Sequence, residues 1–377
     1  MHQHGGVDLE HDEIALPVER AVDAEIIQAD AAPVALMCQP GARSLLPTAG
    51  RLFRGGTQHN SFLRSAIGGL FSGVEMGYAA SGYRKRGVRS WRGDTTDNGA
   101  ASMMTLPRLA AESLEKLLGS FMRRRYDESS ARVLESATRT AMECIGNSDA
   151  LYHDIEHTML VTLAAHAILS GRHLHTHLSA EDYIHILIAC LAHDIGYVRG
   201  LFKEDDEDGF VIDEVGTKVS LQRGASDASL MNYHVDRSKL YVMQRLAGVP
   251  GLDHERIASA IEGTRFPARA GQDYDEDASI LRAADFIGQL GDPNYLRKAN
   301  ALYYEFEEVG INRQLGYDSP ADIVNRYPQF YWDSVAPHIQ TEIGYLNQTE
   351  IGRQWIANLY SNLFRAERDI ALSGPQK

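Results

Sequence analysis

Helical spacing of apolar residues dominates the chain from about Leu106 to its C-terminal end, and strand-like alternation is hard to find there. Apolar residues three and four positions apart between Val133 and Ile145 mark one helix face, and the mostly apolar run Ile184–Ala192 is typical of a buried helix. Further helices are predicted over residues 153–170, 180–196, 228–247, 253–263, 277–290, 296–308, 319–326 and 347–367. The pattern therefore predicts an all-α body over residues 106–377.

Residues 1–105 have a different character. The first fifty residues show no sustained periodicity and are interrupted by four prolines, which predicts an extended or partly disordered arm. Residues 51–93 hold eight Arg or Lys residues against one acid, Glu75. We interpret this Gly-rich segment as a basic flap that pairs with the acidic body, with a site for a phosphate-bearing ligand or partner as the alternative.

Composition and net charge exclude several classes of protein and of partner. The chain has 377 residues, of which 44% are hydrophobic, and a formal net charge of −14. A sizeable core is therefore expected, and a wholly disordered, collagenous or coiled-coil chain is excluded. The acidic balance argues against nucleic acid or an anionic membrane as a general partner.

Three widely spaced cysteines do not form a disulfide framework, which predicts a reducing, cytoplasmic location. The N-terminus lacks the basic start and apolar run of a secretory signal. Ser65–Tyr83, the most apolar early stretch, is too rich in glycine and polar residues for a convincing membrane span. We therefore expect a soluble protein.

Three histidines and two aspartates in the helical body carry the candidate chemistry. His153 and His157 are four residues apart, so they face the same way on a helix. Asp194 follows a buried apolar run, and Asp285 stands between Ala-Ala and Phe-Ile. An ionised carboxylate in such surroundings is costly unless a cation meets it. These residues, together with His193, can solve that problem jointly by binding a divalent metal.

The segments resemble a known family in their order and spacing. Residues 152–157 (YHDIEH), the pair His193-Asp194 and residues 283–285 (AAD) follow the H…HD…D order of the HD superfamily of metal-dependent phosphohydrolases. More narrowly, they resemble the Tyr-His-Asn-x-x-His, His-Asp and Cys-Ala-Asp segments of the class I 3′,5′-cyclic-nucleotide phosphodiesterases. Residues 341–347 (TEIGYLN) are similar to that family's Ser-Gln-Val-Gly-Phe-Ile-Asp pocket segment. The resemblance covers about residues 130–367 and implies an HD, phosphodiesterase-like helical catalytic domain.

The resemblance implies two divalent metal ions. The ligands of the tighter ion, which would be zinc, manganese or iron, are His157, His193, Asp194 and Asp285. Asp194 would bridge to a second, largely water-ligated magnesium or manganese ion. A water or hydroxide between the two metals would attack phosphorus, while His153 would donate a proton to the leaving oxygen.

The resemblance also implies a set of substrate-binding residues. Tyr345 would stack on a base in the role of the family's pocket Phe, and Glu342 would stand where the family has a base-gripping Gln. Tyr152 and His234 are the other two candidates, with a surface position as the alternative for His234. Asp154 or Glu156 would orient His153, unless both are exposed helix residues.

Two departures from the family pattern leave the identity of the substrate undecided. Tyr197 replaces a family histidine three residues after the HD aspartate, and Glu342 replaces the amide of Gln with an acceptor-only carboxylate.

A phosphodiesterase acting on a cyclic nucleotide is the first hypothesis, and an HD phosphohydrolase acting on another phosphate ester, such as a nucleoside monophosphate, is the second. A third is a non-hydrolytic HD sensor, or a di-iron oxygenase that adds ligands such as His234 and His254. The expected partner is a small phosphate ester, and the sequence leaves a homodimer open.

Overall fold

The computed structural model describes residues 105–267 and 273–376, and within these ranges the chain is helical almost throughout. The helices are α1 (Leu106–Arg125), α2 (Glu128–Ile145), α3 (Ile155–His173), α4 (Ala180–Ala192), α5 (His234–Arg245), α6 (His254–Glu262), α7 (Glu276–Leu290), α8 (Tyr295–Glu308), α9 (Ile311–Leu315), α10 (Pro320–Phe330), α11 (Gln340–Leu346) and α12 (Glu350–Ser373). Two strands, β1 (Phe210–Val211) and β2 (Lys218–Val219), form an antiparallel hairpin. The predicted all-α class is confirmed.

Predictions for residues 1–104, including the arm, the basic segment and Ser65–Tyr83, fall outside the described residues. The first described helix begins at Leu106, the position at which the sequence pattern changes. No helix in the described part of the chain combines the length and the apolar character needed to cross a bilayer.

Helix α4 runs through the middle of the core. Its residues from Tyr183 to Ala192 are all buried, because nearly all of them are apolar and neighbouring helices cover every face of the helix. Ser179 and Asp182 start the helix by capping each other's backbone N–H groups, at 3.0 and 3.1 Å. The helix ends at Ala192, so His193 and Asp194 emerge from the centre of the core.

A close approach of α3 and α7 sets the distance between their polar residues. A Cβ atom at position 288 would lie 2.8 Å from the Cα of Val161, so glycine allows the two backbones to meet there. Asp285 is one turn before Gly288, and His157 is one turn before Val161. The contact thus lies one turn from each of these residues, whose side chains approach to 3.3 Å.

The turn after α4 is tied to α5 by buried polar contacts. Ser238 donates its hydroxyl to the carbonyl oxygen of His193 at 2.6 Å and accepts from the N–H of Gly196 at 2.8 Å. Arg237, fully buried, donates to the carbonyl oxygen of Gly196 at 2.7 Å and pairs with Asp205 at 3.1 Å. A side chain at position 196 would overlap the backbone of α5. These contacts fix the start of α5 beside the His-Asp pair.

The predicted helices agree with the observed ones in the core and differ at several ends. The predicted helix over 180–196 stops at Ala192, because the chain turns at the His-Asp pair, and the helix predicted over 228–247 begins only at His234. Helices α1, α9 and α11 were not predicted. Two of these have seven residues or fewer, which leaves too little sequence for a periodic pattern.

Candidate metal centre

Four side chains from two helices and one turn meet in the core. His157 Nε2 lies 3.3 Å from Asp194 Oδ2 and 3.3 Å from Asp285 Oδ1. His193 Nε2 lies 3.2 Å from Asp194 Oδ2 and 3.8 Å from Asp285 Oδ1. The structure thus brings together the four residues that the sequence proposes as ligands, although they are spread over 129 positions (157 to 285).

Orphaned polar atoms make this group a candidate metal site. His193 donates its Nδ1–H to the carbonyl oxygen of Cys190 at 2.7 Å, which leaves the Nε2 lone pair directed into the cluster. His193 Nε2 and Asp194 Oδ2 are both buried, and neither has a hydrogen-bond partner within residues 105–267 and 273–376. Buried polar atoms normally find partners, so this arrangement fits a bound cation.

The electrostatics of the cluster also call for positive charge. Burial lowers the pKa of His157, but the carboxylates of Asp194 and Asp285 outweigh burial and raise that pKa to about 10. Burial raises the pKa of Asp194, yet the nearby imidazoles hold it well below its usual value. The two carboxylates therefore stay ionised and attract either protons on the histidines or a metal ion.

The donor set fits a first-row divalent metal. The possible ligand atoms of His157, His193 and Asp285 lie within 4.8 Å of one another, as do those of His153, His157 and Asp194. Two imidazoles and two carboxylates suit zinc, iron or manganese. The residues present are therefore adequate to hold the tighter of the two metals that the sequence implies.

His153 is held from behind by Glu305, a residue that sequence reasoning missed. Glu305 Oε2 accepts from His153 Nδ1 at 2.5 Å, while Oε1 accepts from the backbone N–H groups of Tyr152 and His153 at 2.6 and 3.2 Å. Burial lowers the pKa of His153, but the charge of Glu305 outweighs it, so the pKa is raised. Glu305 lies on α8, 152 residues after His153, and no local motif marks it.

Tyr197, a residue that departs from the motif of the phosphodiesterases, forms the middle of a three-ring stack. Its ring lies 4.7 Å from the ring of His153 and 4.5 Å from that of His234, at interplanar angles of 15° and 18°. His234 donates its Nδ1–H to the carbonyl oxygen of Met231, so its Nε2 faces Asp194 Oδ1 at 3.8 Å. His234 therefore lies beside the cluster, with 18% of its side chain exposed.

Asp154 and Glu156 do not orient His153. Asp154 caps α3 by accepting from the backbone N–H of His157 at 3.0 Å, which is the ordinary task of an aspartate at this position. Glu156 pairs with Lys298 at 2.8 Å and is half exposed. Because both carboxylates are engaged in this way, the orienting task falls to Glu305.

Tyr152 is buried rather than offered to a ligand. Its side chain packs with Ala299, Leu302 and neighbouring apolar residues of α8 and α10, and 5% of the residue is exposed. Its ring lies 5.2 Å from that of His153 and 5.5 Å from that of His157. Tyr152 therefore packs behind the two histidines.

The structure does not bring Tyr345 or Glu342 into contact with the cluster. A Cβ atom at Gly171 would overlap the backbone of Tyr345, and Gly171 is 14 residues after His157, or about 21 Å along α3. Glu342 lies near Glu276, which pairs with Arg172 at 2.5 Å at the same end of α3. Both predicted pocket residues thus lie at the opposite end of α3 from His157.

Solvent reaches the cluster from one side. The side chains of His157, His193 and Asp194 are 4% exposed or less, whereas those of His153, His234 and Asp285 are 16 to 22% exposed. A substrate would therefore approach over the last three residues.

The fold and the site together define an all-helical protein with a His/Asp cluster suited to divalent metal. A model of the Npun_R2479-like family matches residues 108–369, well over half of the chain, and the chain belongs to that family. The matched range contains every residue of the cluster together with Glu305. No curated protein and no solved structure matches the chain.

Proposed function

We propose that this protein is a metal-dependent phosphohydrolase of the HD type that cleaves a phosphodiester, with a cyclic nucleotide as the first candidate substrate. The observation that carries the proposal is the buried group of His157, His193, Asp194 and Asp285 beside a separate histidine, His153, that a carboxylate holds in place. Metal ligands and a proton donor are the two parts that this hydrolysis requires.

These four residues would hold the tighter metal, and Asp194 has a second oxygen that faces His234 and could contact a second ion. A divalent metal in such a site lowers the pKa of bound water and screens the charge of the phosphoryl oxygens. Asp285 and His234 lie on the exposed side of the cluster, so a phosphate group can approach from solvent there.

His153 would supply the proton for the leaving group. Glu305 is acceptor-only when ionised, so the hydrogen between the two residues belongs to Nδ1 of His153. The Nε2 atom of His153 is then free to give its proton to the departing oxygen as the P–O bond breaks. Glu305 stabilises the protonated ring, and Tyr197 limits its rotation by stacking on one face.

A phosphate monoester is the alternative hydrolytic substrate, because the predicted base-binding residues lie away from the cluster. The oxygenase alternative loses one of its proposed ligands. The N–H of Asp253, next to His254, donates to His185, which is eight residues before His193, or about 12 Å along α4. His254 is therefore placed away from the metal ligands.

Turnover of phosphate esters by the purified full chain, with zinc, manganese, magnesium or iron added, tests the proposal. The panel contains cyclic AMP, cyclic GMP, nucleoside monophosphates and bis(p-nitrophenyl) phosphate. We expect hydrolysis of at least one diester by the wild-type protein and none by D194N. Hydrolysis of monoesters alone would select the alternative substrate class.

The metal content of the purified protein, measured beside turnover, separates the hydrolase proposal from the third hypothesis, an oxygenase or a sensor. If the protein holds metal and cleaves no ester of the panel, the hydrolase proposal is wrong. Two irons with an oxidation-sensitive visible absorption band would then favour an oxygenase, and nucleotide binding without turnover would favour a sensor.

A further inference from the structure

Arg282 is buried three residues before Asp285 on α7, and no counter-ion faces it in the part of the chain that the structure describes. The residue is 4% exposed, and its Nε and Nη1 atoms have no hydrogen-bond partner among those residues. Nη2 alone is used, in a hydrogen bond of 3.1 Å to the carbonyl oxygen of Arg265. Among the described residues, no carboxylate pairs with this guanidinium, whereas Arg237, the other buried arginine there, pairs with Asp205.

The groups around Arg282 do not neutralise its charge. The guanidinium lies 4.8 Å from the ring centroid of Tyr274 and 5.9 Å from that of Phe286. The hydroxyl of Tyr274 is itself buried without a hydrogen-bond partner. On a third side stands His338, whose pKa is lowered by burial and by the charge of Arg282. Aromatic faces attract a cation but leave its N–H groups unpaired.

Arginine cannot discard its charge in this position, because its guanidinium stays protonated in proteins. An isolated buried charge is strongly unfavourable, and its open N–H groups match the geometry of an oxyanion. We propose that Arg282 and the hydroxyl of Tyr274 form a binding site for an oxyanion, a phosphate or a carboxylate, between aromatic rings.

The position of this anion site suggests what carries the oxyanion. Arg282 is three residues before Asp285 on α7, so the two side chains start about 5–6 Å apart on neighbouring parts of one helix face. Phe266 contacts Phe286 edge-on and is 48% exposed, which offers an aromatic surface at the same place. We assign the site to a second anionic group of the substrate, and this assignment rests on the proposed function. It favours a phosphodiester that carries a further phosphate or carboxylate over a cyclic mononucleotide, which has a single phosphate.

Phosphate binding to metal-free protein tests the anion site independently of catalysis. The full chain, treated with EDTA, is heated in phosphate and in chloride at equal ionic strength, and its midpoint of unfolding is compared with those of R282M and R282K. Phosphate should raise the midpoint of the wild-type protein and not that of R282M, with R282K in between. R139Q, which removes an exposed arginine paired with Glu115, is the matched control and should respond as the wild type does.

The chloride samples show whether Arg282 is only structural. An unpaired buried charge destabilises the fold, so R282M should unfold at the same or a higher temperature than the wild type without phosphate. If R282M is destabilised equally in both buffers, or if phosphate stabilises it as much as the wild type, the anion site is disproved.

A matched pair of chromogenic diesters tests the assignment to substrate. Thymidine 5′-(p-nitrophenyl phosphate) is compared with the same compound bearing a 3′-phosphate. We expect the 3′-phosphate to lower KM for the wild type by about tenfold and to have no effect with R282M. Phosphate binding without this difference would show a site for free anions, and the substrate assignment would then be wrong. If neither compound reacts while a diester of the ester panel is hydrolysed, the substrate assignment is wrong. If no ester of either set reacts, the proposed function is wrong, and the binding result stands in both cases.

Discussion

The two ends of helix α3 carry buried acids in opposite surroundings. At the N-terminal end, Asp194 and Asp285 lie 3.2 to 3.8 Å from imidazole nitrogens, which keep the pKa of both carboxyls lowered against the effect of burial. At the C-terminal end, Glu342 is 5% exposed, and no arginine or lysine among the described residues forms an ion pair with it. Burial, aided by the charge of Glu276, raises its pKa to about 7.

The comparison shows that a buried carboxylate becomes part of a site only when partners from other segments converge on it. Three helices and the turn after α4 deliver partners to the N-terminal end of α3, and close contacts at Gly196 and Gly288 hold them there. The helix α11 delivers Glu342 to the other end without a cation. We therefore expect substitutions at the first end to affect catalysis and those at the second to affect stability.

The largest expected effect is that of D194N. Loss of the carboxylate charge removes the group that contacts both His157 and His193. We expect bound metal to be lost and phosphate-ester turnover to fall by about a thousandfold or more. Metal analysis and initial rates check this result. The matched control is E342Q, an acid-to-amide change at the other end of α3, which should keep its metal; if D194N also keeps its metal, the ligand assignment is wrong.

The second expected effect separates proton transfer from metal binding. H153A should keep the metal, and its turnover should fall by about a hundredfold or more, because the substitution removes the proposed proton donor. E305Q should reduce kcat with little change in KM, since Glu305 acts through His153, and the substitution should shift the pH–rate profile. If H153A empties the metal site, His153 is a ligand, as its distance to His157 and Asp194 would allow.

A smaller effect is expected at Tyr197, which separates His153 from His234. Y197F keeps the ring stack, so its turnover should stay within about twofold of the wild type. Y197A leaves both histidines free to rotate, and turnover should fall by about tenfold. Rates for the two variants at saturating metal check this. Equal losses in Y197F and Y197A would show that the hydroxyl, rather than the ring, matters.

The two ends of α3 also differ in how well the sequence predicts the positions of their residues in the folded protein. His157, His193, Asp194 and Asp285 could be found because each stands in a short motif that contrasts with apolar neighbours. Glu305 could not, because its partner is 152 residues away and its own helix looks like any amphipathic surface helix. Only the folded backbone brings it to His153.

The pocket segment illustrates the opposite case. Residues 341–347 match a motif locally, and the sequence has no means of placing them relative to the metal ligands. The backbone contact at Gly171 puts Tyr345 at the far end of α3. Arg282 escaped notice for a similar reason, because its lack of a partner is a property of the folded core rather than of the segment.

The raised pKa of Glu342 predicts that the stability of the protein, rather than its catalysis, depends on pH. Its pKa is raised from 4.5 to about 7 in the folded protein. The native state therefore binds more protons than the unfolded state between these values, and the free energy of unfolding decreases as the pH rises through this window. When solvent screening of the carboxylate is allowed for, the free energy of unfolding is expected to fall by about 2 kcal/mol. Urea denaturation at pH 5 and pH 8 should show this loss in the wild type and not in E342Q, and equal losses in both would contradict it.

The smallest expected effect is that of Y345A on substrate binding. If the contact with Gly171 places Tyr345 about 21 Å along α3 from His157, its ring cannot stack on a base whose phosphate lies at the cluster. KM and kcat should then stay within about threefold of the wild type, since a lost base-stacking contact would cost more than this. Steady-state kinetics on the best substrate of the ester panel measure both constants, with Y303A, a substitution on α8, as the aromatic-to-alanine control. A rise in KM of tenfold or more in Y345A alone, by about the amount that stacking contributes, would show that the substrate extends along α3, and that both of its ends belong to one site.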